Sequence, residues 1–282
     1  MAAHATEDVK TGFGSVNSSH SRRRFTSLKI SMRRRSVAGP PATCSTERSL
    51  RLKSRRRIPS YRKDSALTFV YLDSGDSEQI RAAAEDGLIR GFTTNPTLLR
   101  QVTDDPLRHC SELLGKYDRL EVFYQPTGAY GDLEAESWAA WRLDPQRMTL
   151  KLMSTPSGIA LARRLADGGA QVALTAAQSS TVMIVAEAIG CEAVIPYVDR
   201  AWRDQRTESH LVRSLAQVRH GATRIIAASV KNAGQFVQAY RDGADAVTAP
   251  LDVLRAVTAD AAAIEAEQAF TAEYADTALP LP

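Results

Sequence analysis

Apolar and polar positions change regime near residue 68. From there, short apolar or β-branched runs alternate with longer stretches of helical period. The runs TFVYLD (68–73), GFTTN (91–95), LEVFYQ (120–125), MTLKLM (148–153), QVALT (171–175), EAVIPY (192–197), TRIIAAS (223–229) and DAVTAP (245–250) predict eight strands. Between them, segments such as SEQIRAAAEDG, DPLRHCSELLGKY, GIALARRLADGG, QSSTVMIVAEAIG, HLVRSLAQVRHG, NAGQFVQAYRDG and LDVLRAVTAD predict helices. Several of these close on Gly, the usual left-handed stop. Several strands are nearly continuous apolar runs, as expected when helices cover a parallel sheet. Eight βα units over roughly 200 residues fit the lower end of the (β/α)₈ range. The rival α/β architecture, an open doubly wound sheet, would want a Gly-rich nucleotide turn after its first strand. YLDSGDSEQ is not GxGxxG, and GFGS at 12–15 lies upstream of the patterned region. The pattern therefore predicts an α/β TIM barrel over 67–282. AAAIEAEQAFTAEYAD reads as an extra, amphipathic C-terminal helix beyond the eighth unit.

Charge separates the same two regimes. Of 36 Lys/Arg and 32 Asp/Glu, residues 1–66 hold 16 and 4, so the rest of the chain carries 20 and 28. The basic balance belongs to the tail, and the body is acidic. SRRRFTSLK, MRRRS and LKSRRRIPSYRK are Ser-rich and poor in aliphatic residues. Such a segment buries too little apolar surface to offset its ordering entropy, so 1–66 is expected to be a disordered extension. It can be read as an organelle transit peptide, as a basic surface for nucleic acid or anionic partners, or as an extension without a role, translation starting at Met32 or later. Nucleic-acid binding ranks lowest, because no aromatic or groove-reading motif accompanies the charge.

No apolar run approaches the ~20 residues of a membrane helix, and there is no apolar signal-peptide core. Cys44, Cys110 and Cys191 are far apart and odd in number. That is a reducing-compartment pattern with neither a metal site nor a disulfide framework; Cys191 reads as a small core residue. The reading is a soluble, cytoplasmic protein, with organelle targeting through the tail as the alternative.

A barrel localises chemistry at the C-terminal ends of its strands and in the βα loops. Those positions hold Asp73, then Thr93, Thr94 and Asn95, then Gln125, Lys151, Thr175, Tyr197 with Arg200, Ser229 with Lys231, and Asp252. Lys151 stands out, flanked by Leu in MTLKLMS. A lysine within a buried strand is costly unless paired or neutral, and desolvation lowers its pKa. A fall of about three units from ~10.4 corresponds to roughly 4 kcal/mol and reaches the range where a catalytic amine works. Such an amine attacks a carbonyl to form a Schiff base. The bland alternatives are an edge lysine reaching out of the barrel and one paired with Asp73.

TTNPT at 93–97, the lysine of the fourth strand, PYVDR at 196–200, AASVKN at 227–232 and APLDV at 249–253 together resemble the transaldolase family. The similarity is strongest to the short subfamily that includes fructose-6-phosphate aldolase, and it runs from about residue 69 to 276. The resemblance implies a class I, metal-independent enzyme without a cofactor, in which Lys151 forms a Schiff base with a ketose phosphate. Asp73 and Asn95 would face the lysine and the donor's hydroxyls, with Thr93 and Thr94 lining the mouth or bracing the strand end. Gln125 and Thr175 would hold a water for proton transfer, and Tyr197 would help handle the proton. Arg200, Ser229 and Lys231 match the phosphate-binding positions. Pro96 suits an early helical position, where its missing N–H costs nothing. The C-terminal helix would reach a neighbouring subunit, implying a homo-oligomer. KLMST departs from the more typical Lys-Val-Pro pattern, and Asp199 stands where Asn or Gly is usual. Pro126 directly follows Gln125, and Met153 is bulky. These departures bear on acceptor specificity more than on the lysine chemistry.

Two other function classes compete. A non-catalytic sugar-phosphate-binding barrel, with the basic tail as its working part, would bind ligand without a covalent adduct. A nucleic-acid-binding protein would lose affinity steeply with salt.

Overall fold

A computed structural model describes residues 69–203, 208, 210–273 and 275. The basic stretch 1–66 and Cys44 lie outside the described residues. Eight strands form a closed, wholly parallel barrel in chain order. They are β1 (Phe69–Asp73), β2 (Gly91–Thr93), β3 (Glu121–Tyr124), β4 (Met148–Met153), β5 (Gln171–Ala177), β6 (Ala193–Pro196), β7 (Arg224–Ala227) and β8 (Ala246–Ala249). Helices α1 (Ser77–Glu85), α2 (Pro96–Arg100), α3 (Pro106–Lys116), α4 (Leu133–Leu143), α5 (Pro156–Asp167) and α6 (Thr181–Ile189) fill the first connections. They are followed by α7 (Val198–Arg203), α8 (Leu211–Val218), α9 (Ala233–Arg241), α10 (Leu251–Thr258) and α11 (Ala261–Glu273). The predicted TIM barrel is therefore the observed fold.

Strand alternation divides the core in two. Tyr71, Phe123, Ala173, Ala193, Ile195, Ile226, Ala228 and Ala246 pack together inside the barrel. Their sequence neighbours Leu72, Val122, Leu174, Val194, Ile225 and Val247 pack outward with the helices. Because both faces are buried, the strands read as continuous apolar runs. β4 shows the consequence for the site: Met148, Leu150 and Leu152 belong to the outer core, which turns Thr149, Lys151 and Met153 inward.

The N-terminal end of the interior is plugged by charge. The Tyr71 hydroxyl donates to Glu121 Oε2 at 2.6 Å and accepts from Arg224 Nη1 at 2.8 Å. Arg90 pairs with Glu121 at 2.9 Å, and Arg224 with Glu192 at 3.0 Å. Gly91 opens β2 beside this plug because a Cβ there would sit 2.1 Å from the Glu121 carbonyl oxygen.

Several strand ends depart from the predicted runs. β2 stops at Thr93, because Asn95 turns to cap α2, its side-chain Oδ1 accepting from Leu98 N at 3.0 Å. β5 continues to Ala177 through a register irregularity at Ala176, which takes φ 57°. β7 ends before Ser229, at φ 60°. The helix beyond the eighth unit forms as α11, but none of its residues is buried, and Ile264 and Phe270 are both exposed. Those two stand six positions apart, about 120° around the axis, and alanines fill the remaining directions. The helix therefore has no single apolar stripe, unlike the amphipathic one expected.

Candidate active site

Lys151 is 3% exposed, and its Nζ donates to the Thr94 carbonyl at 2.8 Å. Burial draws its pKa below the ordinary lysine range, and the charge of Asp73 opposes this without reversing it. The lysine therefore sits beneath the barrel mouth, held by one backbone oxygen and facing a carboxylate at the end of β1. Burial disfavours the charged amine and the carboxylate favours it, and burial is the larger effect.

The polar run at 93–96 divides into separate tasks. Thr93 is buried; its hydroxyl donates to Asp73 Oδ1 at 2.8 Å and lies 2.8 Å from Thr248 Oγ1. Thr94 is buried too; its hydroxyl donates to the Phe123 carbonyl at 3.3 Å, and its own carbonyl receives the lysine. Asn95 borders the mouth while its Oδ1 caps α2, which leaves the amide NH₂ available. Pro96 follows at the first helical position. An ordinary strand-to-helix turn and a polar wall are thus built from the same four residues.

The mouth is a cavity of about 850 Å³ bordered by Asp73, Asn95, Gln125, Tyr197, Arg200 and Lys231, among others. Ser229 follows β7, is half-buried and does not border this cavity. Tyr197 forms a single parallel bridge to Ala228, and the Arg200 guanidinium stands 5.2 Å from the Tyr197 ring centroid. Arg200 and Lys231, from the connections after β6 and β7, bring positive charge to the mouth, and Asp73 and Asp76, from the end of β1 and the loop after it, bring negative charge. The predicted Asp252 lies in the first turn of α10 and does not border this cavity. Among the described residues, two buried atoms from the strands on either side of β4, Gln125 Oε1 just after β3 and Thr175 Oγ1 on β5, have no hydrogen-bond partner. Gln125 Nε2 donates to the sulfur of Met153 at 3.5 Å, and Met153 itself is 41% exposed.

Beside the mouth, a second cavity of about 580 Å³ runs between the loops that precede α4 and α5. Gln125 and Met153 border both cavities, and Lys151 contributes to the wall of this one. The carboxylate whose charge acts on the lysine, that of Asp73, lines the mouth. Gly158 is needed where the two walls meet, since a Cβ there would lie 2.1 Å from the Met153 carbonyl oxygen.

Residues that the sequence pattern did not reveal support the cationic side. Gln235 is buried; its Oε1 accepts from Lys231 N at 2.8 Å, and its Nε2 donates to Asp199 Oδ1 at 3.2 Å. It thereby ties the loop of Lys231 to the helix of Arg200. Asp199 is also bonded to Arg203. Its carboxyl is held below the usual range even though burial pushes the other way, because Gln235 and Arg203 donate to it. A glutamine inside a helix gives no pattern signal, because its partner lies 36 residues away. Cys110 and Cys191 are buried, which pushes both thiols up to about 12. Among the described residues no group of three or more His, Cys, Asp or Glu is placed to hold a metal ion, and no helix is long and apolar enough to cross a membrane.

Comparison with known proteins adds an independent line. The chain is 28% identical over 188 residues to a probable transaldolase of Thermodesulfovibrio yellowstonii, covering 66% of this chain and 87% of that protein. It is 26% identical over 208 residues to one of Carboxydothermus hydrogenoformans, covering 73% and 97%. With one of Rhodospirillum centenum it shares 28% identity over 215 residues, covering 73% and 91%. A solved structure described as "Native KDPGal structure" aligns at a TM-score of 0.48 with 12% identity, over 66% of this chain and 83% of that one. The family model for transaldolase/fructose-6-phosphate aldolase matches residues 132–279, more than half of the sequence, taking in Lys151, Thr175, Tyr197, Arg200, Ser229 and Lys231. The chain belongs to the transaldolase/fructose-6-phosphate aldolase family.

Proposed function

We propose that this protein cleaves a ketose phosphate such as fructose 6-phosphate through a Schiff base on Lys151, then transfers or releases the dihydroxyacetone unit. Membership of the family makes it an enzyme of the aldolase and transferase kind. The observation that carries the finer reading is the buried lysine of β4, with its pKa drawn down beneath a polar mouth.

The neutral amine of Lys151 attacks the ketose C2, and loss of water gives an iminium. The bond between C3 and C4 then breaks; its electron pair moves into the iminium to form an enamine, and the C4 hydroxyl loses its proton as the aldehyde departs. The enamine either attacks an acceptor aldehyde or takes a proton, and hydrolysis frees the lysine. Asp73 stabilises the cationic states of the amine. Asn95 offers its free NH₂ to donor hydroxyls. Thr93 orients Asp73, and Thr94 orients the lysine. The amide of Gln125 cannot titrate, so its role with Thr175 is to hold the water that carries the proton, with Tyr197 beside it. The unpartnered Gln125 Oε1 and Thr175 Oγ1 support that assignment. Arg200 and Lys231, with Ser229, provide the fork, point charge and hydroxyl suited to a phosphate. Assembly as a homo-oligomer, through the exposed α11, belongs to the same proposal.

Borohydride reduction of the protein with fructose 6-phosphate or dihydroxyacetone tests it. The expected result is a stable adduct mapped to Lys151 by peptide mass and absent in Lys151→Arg. A folded protein that gives no adduct with either compound refutes the Schiff-base reading.

A further inference from the structure

The connection after β3 leaves the barrel at Gln125 and returns as α4 at Leu133. Glu136, in the first turn of α4, is only 1% exposed. Its Oε1 accepts from the Tyr124 hydroxyl at 2.6 Å, from Thr127 N at 2.6 Å and from Thr127 Oγ1 at 2.9 Å. Its Oε2 accepts from Gly128 N at 2.8 Å. Burial, and then the bond to Glu136, push the Tyr124 phenol far up, so it stays protonated and donates.

The sources of these bonds matter more than their number. Tyr124 immediately precedes Gln125, while Thr127 and Gly128 follow just after Pro126. One buried side chain thus holds the Tyr124 side chain before Gln125 and the backbone of Thr127 and Gly128 after it, and Pro126 fixes φ within the gripped span. The Gln125 amide is held from the other direction by the sulfur of Met153, leaving Oε1 buried and unpartnered. A carboxyl group out of water is costly unless it is well bonded. A loop that only had to cross the surface could leave the same donors to solvent.

We infer that Glu136 is a positioning residue: by clamping residues 124 and 127–128 it sets where the Gln125 amide stands beneath the mouth. The inference rests on the proposed reading, in which Gln125 holds the proton-carrying water. Glu136 touches no substrate and acts only through Gln125. A mere anchor of α4 would give the same burial but no coupling to Gln125.

A double-mutant cycle separates the two. In folded Glu136→Gln, checked by thermal unfolding, the Lys151 adduct with dihydroxyacetone still forms, and kcat falls about ten- to a hundredfold with KM within about twofold. In the Gln125→Ala background the same change has no further effect on kcat. Independent, additive losses, or an unchanged kcat, overturn the inference. Should Glu136→Gln fail to fold, Thr127→Val removes only the hydroxyl's contact with Glu136, keeps the backbone one, and carries the same cycle. A readout independent of turnover is the pair of Gln125 side-chain amide resonances, identified by their loss in Gln125→Ala. They are expected to be dispersed in the wild type and to move toward the free-amide position in Glu136→Gln or Thr127→Val. Unmoved resonances overturn the inference. A wild type that forms no adduct refutes the Schiff-base reading instead, and the amide signals still decide whether the clamp exists.

Discussion

The two ends of the barrel interior handle buried polar groups in opposite ways. At the N-terminal end, Glu121, Arg224, Tyr71, Arg90 and Glu192 form one bonded network, in which Arg224 Nε is the atom left without a partner. At the C-terminal end, a lysine is buried against a single carbonyl, two side-chain oxygens have no partner, and Ala176 and Ser229 hold left-handed backbone. Left-handed φ costs a non-glycine residue roughly 1–2 kcal/mol. One end joins its buried polar groups to one another, whereas the other holds buried polar groups with fewer protein partners. That division follows barrel logic, in which chemistry gathers where strands end and loops begin, and strain gathers with it.

The sharpest way to break the comparison is Lys151→Met. Activity is expected to fall on the order of 10³-fold or more, measured with fructose 6-phosphate. Stability should move the other way. The folded pKa of Lys151 lies below its unfolded value, so the unfolded chain binds more protons between the two. The wild-type penalty is therefore full below the folded pKa and relieved as pH rises toward ~10.4. Thermal unfolding should show Lys151→Met to be the more stable at pH 7, with the advantage shrinking by pH 10. A variant less stable at pH 7 would mean that the lysine's partners already compensate its burial.

Thr175→Val sharpens the contrast. It removes a hydroxyl that has no protein partner, so stability should change by less than about 1 kcal/mol, while kcat falls about a hundredfold. An unchanged kcat in steady-state assays would remove Thr175 from the proton path.

The smallest effect is expected at the other end. Glu121→Gln leaves Arg90, Arg224 and the Tyr71 hydroxyl with a weaker partner. A loss of about 2 kcal/mol is expected for this partly buried network, or several degrees in Tm. The kcat of the folded variant should stay within about twofold. A large kcat loss without destabilisation would show that the plug communicates with the mouth.

Much of the site was legible because its signals are local contradictions. Lys151 interrupts an apolar run, and TTNP places four polar residues where a strand ends; both are visible without knowing any contact. The supports were not legible. Glu136 sits in a helical first turn beside Glu134, a residue of the same type that instead pairs with Arg164 near the surface. Nothing in LEAES distinguishes the buried carboxylate from the exposed one, because the difference is made by a loop folding back over α4. Met153 likewise reads as one more apolar strand residue until its sulfur is found against Gln125.

By itself the sequence determined the eightfold alternation, the parallel barrel and the set of polar residues at its mouth. Each of these follows from periodicity and from the energetic cost of placing a charge in an apolar strand. Tertiary structure alone decided which of those groups are braces and which are left unpartnered, and where β5 bulges. It also decided that α11 covers no part of the core. Hydrogen bonds across the barrel join residues as far apart as Thr93 and Thr248. Whether a polar atom finds a partner depends on that closure, and no local pattern encodes it.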